Sequence, residues 1–117
     1  MQNDYLHEKT KRFAIEIIKF VNVLPKNRIS NVLGIQLLKA GTSVGANYRA
    51  SCRARSRADF ISKMGIVEEE ADESLYWLEL LLKAKIVTQN QIQNLQSEAN
   101  EILSMVVASI KTARKNK

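Results

Sequence analysis

The chain holds one proline, one cysteine, one histidine and four glycines in 117 residues. Each scarcity excludes something. With so little proline and glycine and few β-branched runs, the composition favours long helices over strands and turns. The lone Cys52 cannot close an internal disulfide, which fits a reducing compartment. A single histidine, His7, rules out a carboxylate-bridged two-metal bundle, which needs two Glu-x-x-His pairs; the residue three before His7 is Asp4. No apolar run nears the roughly 18 residues of a membrane span. The opening MQNDYLHEKTKRF is polar and charged, unlike a secretory leader. The expectation is a cytoplasmic domain that carries neither metal nor cofactor.

What is present is helical periodicity and an uneven charge. Apolar residues at Leu6, Phe13, Ile17, Phe20, Val21 and Leu24 predict a first helix from about Tyr5 to Val23, ended by Pro25. A second helix is expected from about Ile29 to Ala54, with Val32, Leu33, Leu37, Ala40, Val44 and Tyr48 on one stripe. Gly41 and Gly45 lie one turn apart among small residues, a strip on which a neighbouring helix can approach closely. Ser56 and Asp59 form a capping pair before a third helix, about Arg57 to Ala84, whose stripe is Phe60, Met64, Val67, Ala71, Leu75, Leu78 and Leu82. Thr88 and Gln91 repeat that logic before a fourth, about Gln89 to Ala113, striped by Ile92, Leu95, Ala99, Ile102, Val106 and Ile110. Short connections make successive helices antiparallel. The fold class is therefore all-α, a single antiparallel up-down-up-down four-helix bundle over residues 1–117.

The third helix is more apolar than one stripe requires. Tyr76, Trp77, Leu80 and Leu81 extend its apolar surface almost all round. A helix apolar on every side must be covered on every side, so these four are the candidate oligomer interface.

Catalytic patterns are missing. Cys52 and Ser43 have no base in sequence reach, and AGTSVGA lacks the strand and the Gly-Lys-Ser/Thr ending of a phosphate loop. The acidic run Glu68, Glu69, Glu70, Asp72 and Glu73 is expected to meet basic residues across the bundle, with Lys39 to Asp72 or Glu73 as one pair. Nothing points to an enzyme.

Charge is the strongest functional signal. Residues 1–63 carry twelve Lys/Arg against four Asp/Glu, whereas residues 64–117 carry six against eight. Five of these cations, Arg49, Arg53, Arg55, Arg57 and Lys63, fall within fifteen residues around one helix-helix junction, offset only by Asp59. Arginines fork onto phosphate oxygens, and a helix start adds unpaired N–H donors. These five are the candidate nucleic-acid-binding residues, reading backbone rather than base sequence. Internal ion pairs from Arg49 or Arg53 to Glu8, Glu68 or Glu69 are the competing account. Lys9, Lys11 and Arg12 add further charge from the first helix, and His7 by itself reads as a solvated residue.

The segments GTSVGANYRAS and RARSRADFISKMGIVEEEADESLYWLELL resemble the bacterial four-helix-bundle proteins encoded in intervening sequences of 23S ribosomal RNA. The likeness covers the whole chain, with its diagnostic stretch from about Ala40 to Leu82. It implies an antiparallel four-helix bundle that assembles into rings of five. The family in turn resembles the accessory variability protein of diversity-generating retroelements, a basic pentamer that binds nucleic acid and a reverse transcriptase. On that likeness Arg49, Arg53, Arg55 and Arg57 would face nucleic acid, while Tyr76 and Trp77 would serve packing or assembly. Two readings follow: a homo-oligomer that binds RNA or DNA backbone, or a protein-interaction scaffold with no nucleic-acid role.

Overall fold

The structure is a computed structural model that describes residues 4–116; the side chain of Asp4 and the first three and last residues of the termini noted above lie outside it. Four helices follow in order: α1 (Asp4–Asn22), α2 (Arg28–Ser51), α3 (Arg57–Lys83) and α4 (Gln89–Lys115). No strand occurs among the described residues. Sequence neighbours pack against each other, α1 against α4 closes the square, and the diagonal pairs stay apart. The result is the expected up-down-up-down bundle, a rod of 50 × 20 × 20 Å.

Local chemistry sets the helix ends. Asn27 caps α2, its Oδ1 accepting from the Ser30 N–H at 2.9 Å. Ser56 caps α3 by accepting from the Asp59 N–H at 3.0 Å, and the Thr88 N–H donates to Gln91 Oε1 at 2.8 Å at the start of α4. α3 stops where Lys85 turns left-handed at φ 62°. The Ile86 N–H then reaches the Leu81 carbonyl at 3.0 Å and the Lys85 N–H the Leu82 carbonyl at 2.9 Å, the Schellman pattern usually given to glycine.

The stripes meet in one core containing Leu6, Phe13, Ile17, Leu37, Val44, Tyr48, Met64, Val67, Ala71, Leu78, Ile92, Ile102 and Val106. The glycine strip packs as expected. A Cβ on Gly41 would lie 2.8 Å from Ile17 Cγ1, and one on Gly45 would lie 3.3 Å from Thr10 Oγ1, so both glycines let α1 sit close on α2.

Three expectations need correction. Val32 is 52% exposed, because the inward face of α2 turns through Gly34, Leu37, Ala40 and Gly41 instead. α2 ends at Ser51, three residues early. Its last turn tightens as the Arg53 N–H bonds the Ala50 carbonyl and the Ala54 N–H the Ser51 carbonyl, each at 3.1 Å. In α3 the innermost residue of the last turn is Leu81, fully buried, while Leu82 is only partly so. Leu81 therefore belongs to the monomer's own core and cannot anchor a second subunit.

Candidate nucleic-acid interface

The turn between α2 and α3 carries the arginines outward. Arg49 lies in the last turn of α2, Arg53 and Arg55 in the turn itself, and Arg57 opens α3; all four are exposed. Because α2 stops early, Arg53 projects from the turn and not from the helix flank. None of the four joins an ion pair among the described residues, where the pairs are Lys9–Glu98, Lys9–Glu101, Lys19–Glu16 and Lys63–Asp59. The expected alternatives, Arg49 or Arg53 to Glu8, Glu68 or Glu69, do not form. Nor does Lys39 pair with Asp72 or Glu73.

Lys63 differs from the rest of its cluster. It is half-buried, and its Nζ donates to Asp59 Oδ2 at 2.9 Å. That hydrogen bond, then one from the Arg55 backbone N–H at 3.2 Å, holds the Asp59 carboxyl below its ordinary value. Asp59 thus braces the turn and cancels the Lys63 charge; the Arg55 charge also acts on it, while Arg49, Arg53 and Arg57 stand clear of it.

A groove of about 560 Å³ runs along α1 and α2 beside this corner. It is lined by His7, Lys11, Arg49, Cys52 and Arg53, with the small residues Thr10, Ala14, Thr42, Gly45 and Ala46 between them. Among the described side chains no carboxylate lines it. Its floor is shallow because Gly45 lets the two helices close, while cations stand along both rims. His7 is not the solvated residue expected: its ring packs edge-on against buried Tyr48, with centroids 4.9 Å apart.

The acidic run lies elsewhere. Glu68, Glu69 and Asp72 line a separate groove with Gly65 and Leu103, between α3 and α4. In a square bundle the α1–α2 and α3–α4 grooves are on opposite sides, so the carboxylates do not border the arginine groove. Among the described residues, no group of three or more His, Cys, Asp or Glu side chains is placed to hold a metal ion. No helix among the described residues is long and apolar enough to cross a membrane.

The other expected face is mixed. Tyr76 is 54% exposed and meets Trp77 edge-on at 5.0 Å, and Trp77 Nε1 donates to Glu73 Oε2 at 3.1 Å. Trp77 and Leu80 are half-buried. Lys9, expected as a surface cation, is 2% exposed and bridges Glu98 and Glu101 on α4, each at 2.8 Å. Burial acts to lower its pKa, but the hydrogen bonds and charges of Glu101 and Glu98 outweigh burial and raise it. Sequence reasoning missed Lys11 and His7 as neighbours of Arg49 and Arg53. The signal was in the glycines: docking Thr10 on Gly45 sets the α1–α2 register and brings Lys11 to the arginines.

Comparison with known proteins agrees with this architecture. No curated protein matches the chain. A crystal structure of a protein with unknown function from the S23 ribosomal protein family of Bacteroides thetaiotaomicron VPI-5482 is 38% identical, with a TM-score of 0.83 over 91% of this chain and 98% of that one. The family model described as 23S rRNA-intervening sequence protein matches residues 4–108, which take in the arginine turn, the basic groove and most of α4. With its four helices, its core and its sequence all in accord, the chain belongs to the 23S rRNA-intervening sequence protein family.

Proposed function

We propose that this protein is a non-enzymatic, homo-oligomeric bundle of the cytoplasm that binds the sugar-phosphate backbone of nucleic acid through its arginine corner. The observation that carries the reading is the state of the arginines. Arg49, Arg53, Arg55 and Arg57 are exposed and outside the ion pairs among the described residues, and two of them line a groove with Lys11 whose described lining holds no carboxylate. A charge left unpaired at a concave surface is available to a phosphate without first breaking an internal bond. Apart from His7 the groove has no aromatic ring for stacking bases, so recognition is chiefly by charge and spacing. The family name makes RNA the first polyanion to try. Assembly, up to the ring of five that the resemblance implies, would repeat the corner and raise avidity without new contacts.

The test is fluorescence anisotropy of a labelled single-stranded RNA against salt concentration. Four backbone contacts give a log–log slope of about −3. Arg49→Glu with Arg53→Glu should abolish binding while circular dichroism stays unchanged. Unaltered affinity in that double variant would overturn the reading. A second reading, a protein-interaction scaffold with no nucleic-acid role, draws on the exposed apolar residues of α1 and α2. A protein partner retained after nuclease treatment, with no RNA bound, would favour it.

A further inference from the structure

The surface holds a second unsatisfied feature, on the side of the α1–α2 hairpin toward its turn. Of the nine large apolar residues exposed among those described, six fall in one stretch of 21: Ile15, Ile18, Val23, Ile29, Val32 and Ile35. Apolar side chains scattered singly over a surface need no explanation, but a concentration of this kind does. The bundle does not require them, since α1 already buries Phe13 and Ile17 and α2 buries Leu37, Ala40 and Val44. The hairpin register keeps them at one end of the molecule, because Gly34 lies against Val21 and Leu24, and Gly41 against Ile17. Charge around the patch is one-sided. Residues 11–40 carry six Lys/Arg and one carboxylate, Glu16, and of those cations only Lys19 is ion-paired among the described residues.

The same chain carries a complementary surface. Ile66, Glu69, Glu73 and Tyr76 follow one another at spacings of three, four and three, which puts them on one side of α3, and all four are exposed. Between Ile66 and Tyr76 there are five carboxylates and no cation, and none of the five is ion-paired among the described residues. They also crowd one another: burial, then the charges of Glu73 and Glu69, raises the Glu70 carboxyl above its ordinary value. Gly65 adjoins this row with open space where a Cβ would stand. A glycine in mid-helix weakens the helix, and no neighbour within the monomer asks for it. A neighbour from outside would.

We infer that these surfaces are the two halves of one contact between copies of the chain, in which the α3 row Ile66, Glu69, Glu73 and Tyr76 of one copy seats on the apolar and basic α1–α2 face, Ile15, Ile18, Val32 and Ile35, of the next. Isoleucine and tyrosine meet the apolar patch, and the glutamates meet cations around it such as Lys39. The halves are different surfaces, so the contact is head-to-tail and either closes into a ring or continues as a filament. It rests on the self-association in the reading above, and it leaves Arg49 and Arg53, at the other end of α2, free for phosphate. Of the interface expected on α3, Tyr76, Trp77, Leu80 and Leu81, it keeps only Tyr76 and moves the rest to the outer row Ile66, Glu69 and Glu73.

Sedimentation velocity on the full chain separates the outcomes. The unaltered protein should run as a defined multimer. Val32→Asn with Ile35→Asn, and separately Glu69→Lys with Glu73→Lys, should each run as a monomer with unchanged circular dichroism. An equimolar mixture of the two variants should give a dimer and nothing larger, because each retains one intact half. Should the first variant prove unfolded, Ile15→Gln with Ile18→Gln carries the same expectation. A multimer that survives either variant, or a mixture that gives no dimer, overturns the assignment of faces while leaving self-association standing. A wild-type protein that stays monomeric overturns self-association as well, and RNA anisotropy then tests the nucleic-acid reading by itself.

Discussion

Lys9 offers a sharp test because its two sides are unequal. Its ammonium is 2% exposed, whereas its partners Glu98 and Glu101 are 33% and 53% exposed. Removing one member of a buried ion pair costs about 3–5 kcal/mol, chiefly through the charge left behind, while replacing the charge by an apolar group of like volume is often neutral. Lys9→Met leaves only the glutamates, which already reach water, and should cost about 1 kcal/mol or less. Glu98→Gln with Glu101→Gln leaves the buried ammonium facing two amide oxygens, and should cost about 3 kcal/mol. For a domain of this size each kcal/mol moves the melting temperature by about 4 °C, so the expected drops are about 4 °C or less and about 12 °C. Circular dichroism at 222 nm on heating reads both. The pH dependence adds a second check. The Lys9 pKa is raised above 10.5, so its contribution is complete below that value and is lost as pH climbs from about 10.5 through the folded-state pKa. Lys9→Met should remove that alkaline loss. If Lys9→Met melts as low as the double glutamine variant, the asymmetric account of the bridge is wrong.

Gly41→Ala should lower the melting temperature although alanine is the better helix former, because the new methyl would lie 2.8–3.2 Å from three atoms of the branched Ile17 side chain; the overpacking costs about 1–3 kcal/mol against a propensity gain of about 1. A melting point raised by that change would disprove the close α1–α2 seam. Lys85→Gly should stabilise by about 0.5–1 kcal/mol in urea unfolding, since glycine takes the φ of 62° without the Cβ penalty; an unchanged midpoint would argue against a left-handed turn. Asp59→Asn should destabilise the α2–α3 turn at neutral pH. The Asp59 carboxyl is held below 3.8, so its contribution fades as pH falls from about 3.8 through the folded value, and variant and parent should converge there in acid melts.

Much of the site was legible in the chain, and the failures have particular causes. The capping pairs Ser56–Asp59 and Thr88–Gln91 act within one turn, so both could be read from spacing. Val32 sits within the expected stripe of α2 yet faces solvent, because three glycines let that helix turn its smooth side to α1 and shift the inward arc. Leu81 and Leu82 are both leucines in an apolar block, and which one faces inward depends on rotation about the helix axis, which composition leaves open. The turn after α3 needs a left-handed residue, and Lys85 supplies it with no glycine to announce it.

The sequence by itself determined the four helices, their antiparallel order and the concentration of guanidinium groups at one turn, because periodicity, caps and charge are local properties. Tertiary structure alone decided which charges are spent. Lys9 is drawn into a bridge to α4, Lys63 is held by Asp59, and Lys11 joins Arg49 and Arg53 across a seam made by Gly45. The reason is geometric: a side chain's partners from other helices depend on register and rotation, and those are set by how whole helices pack.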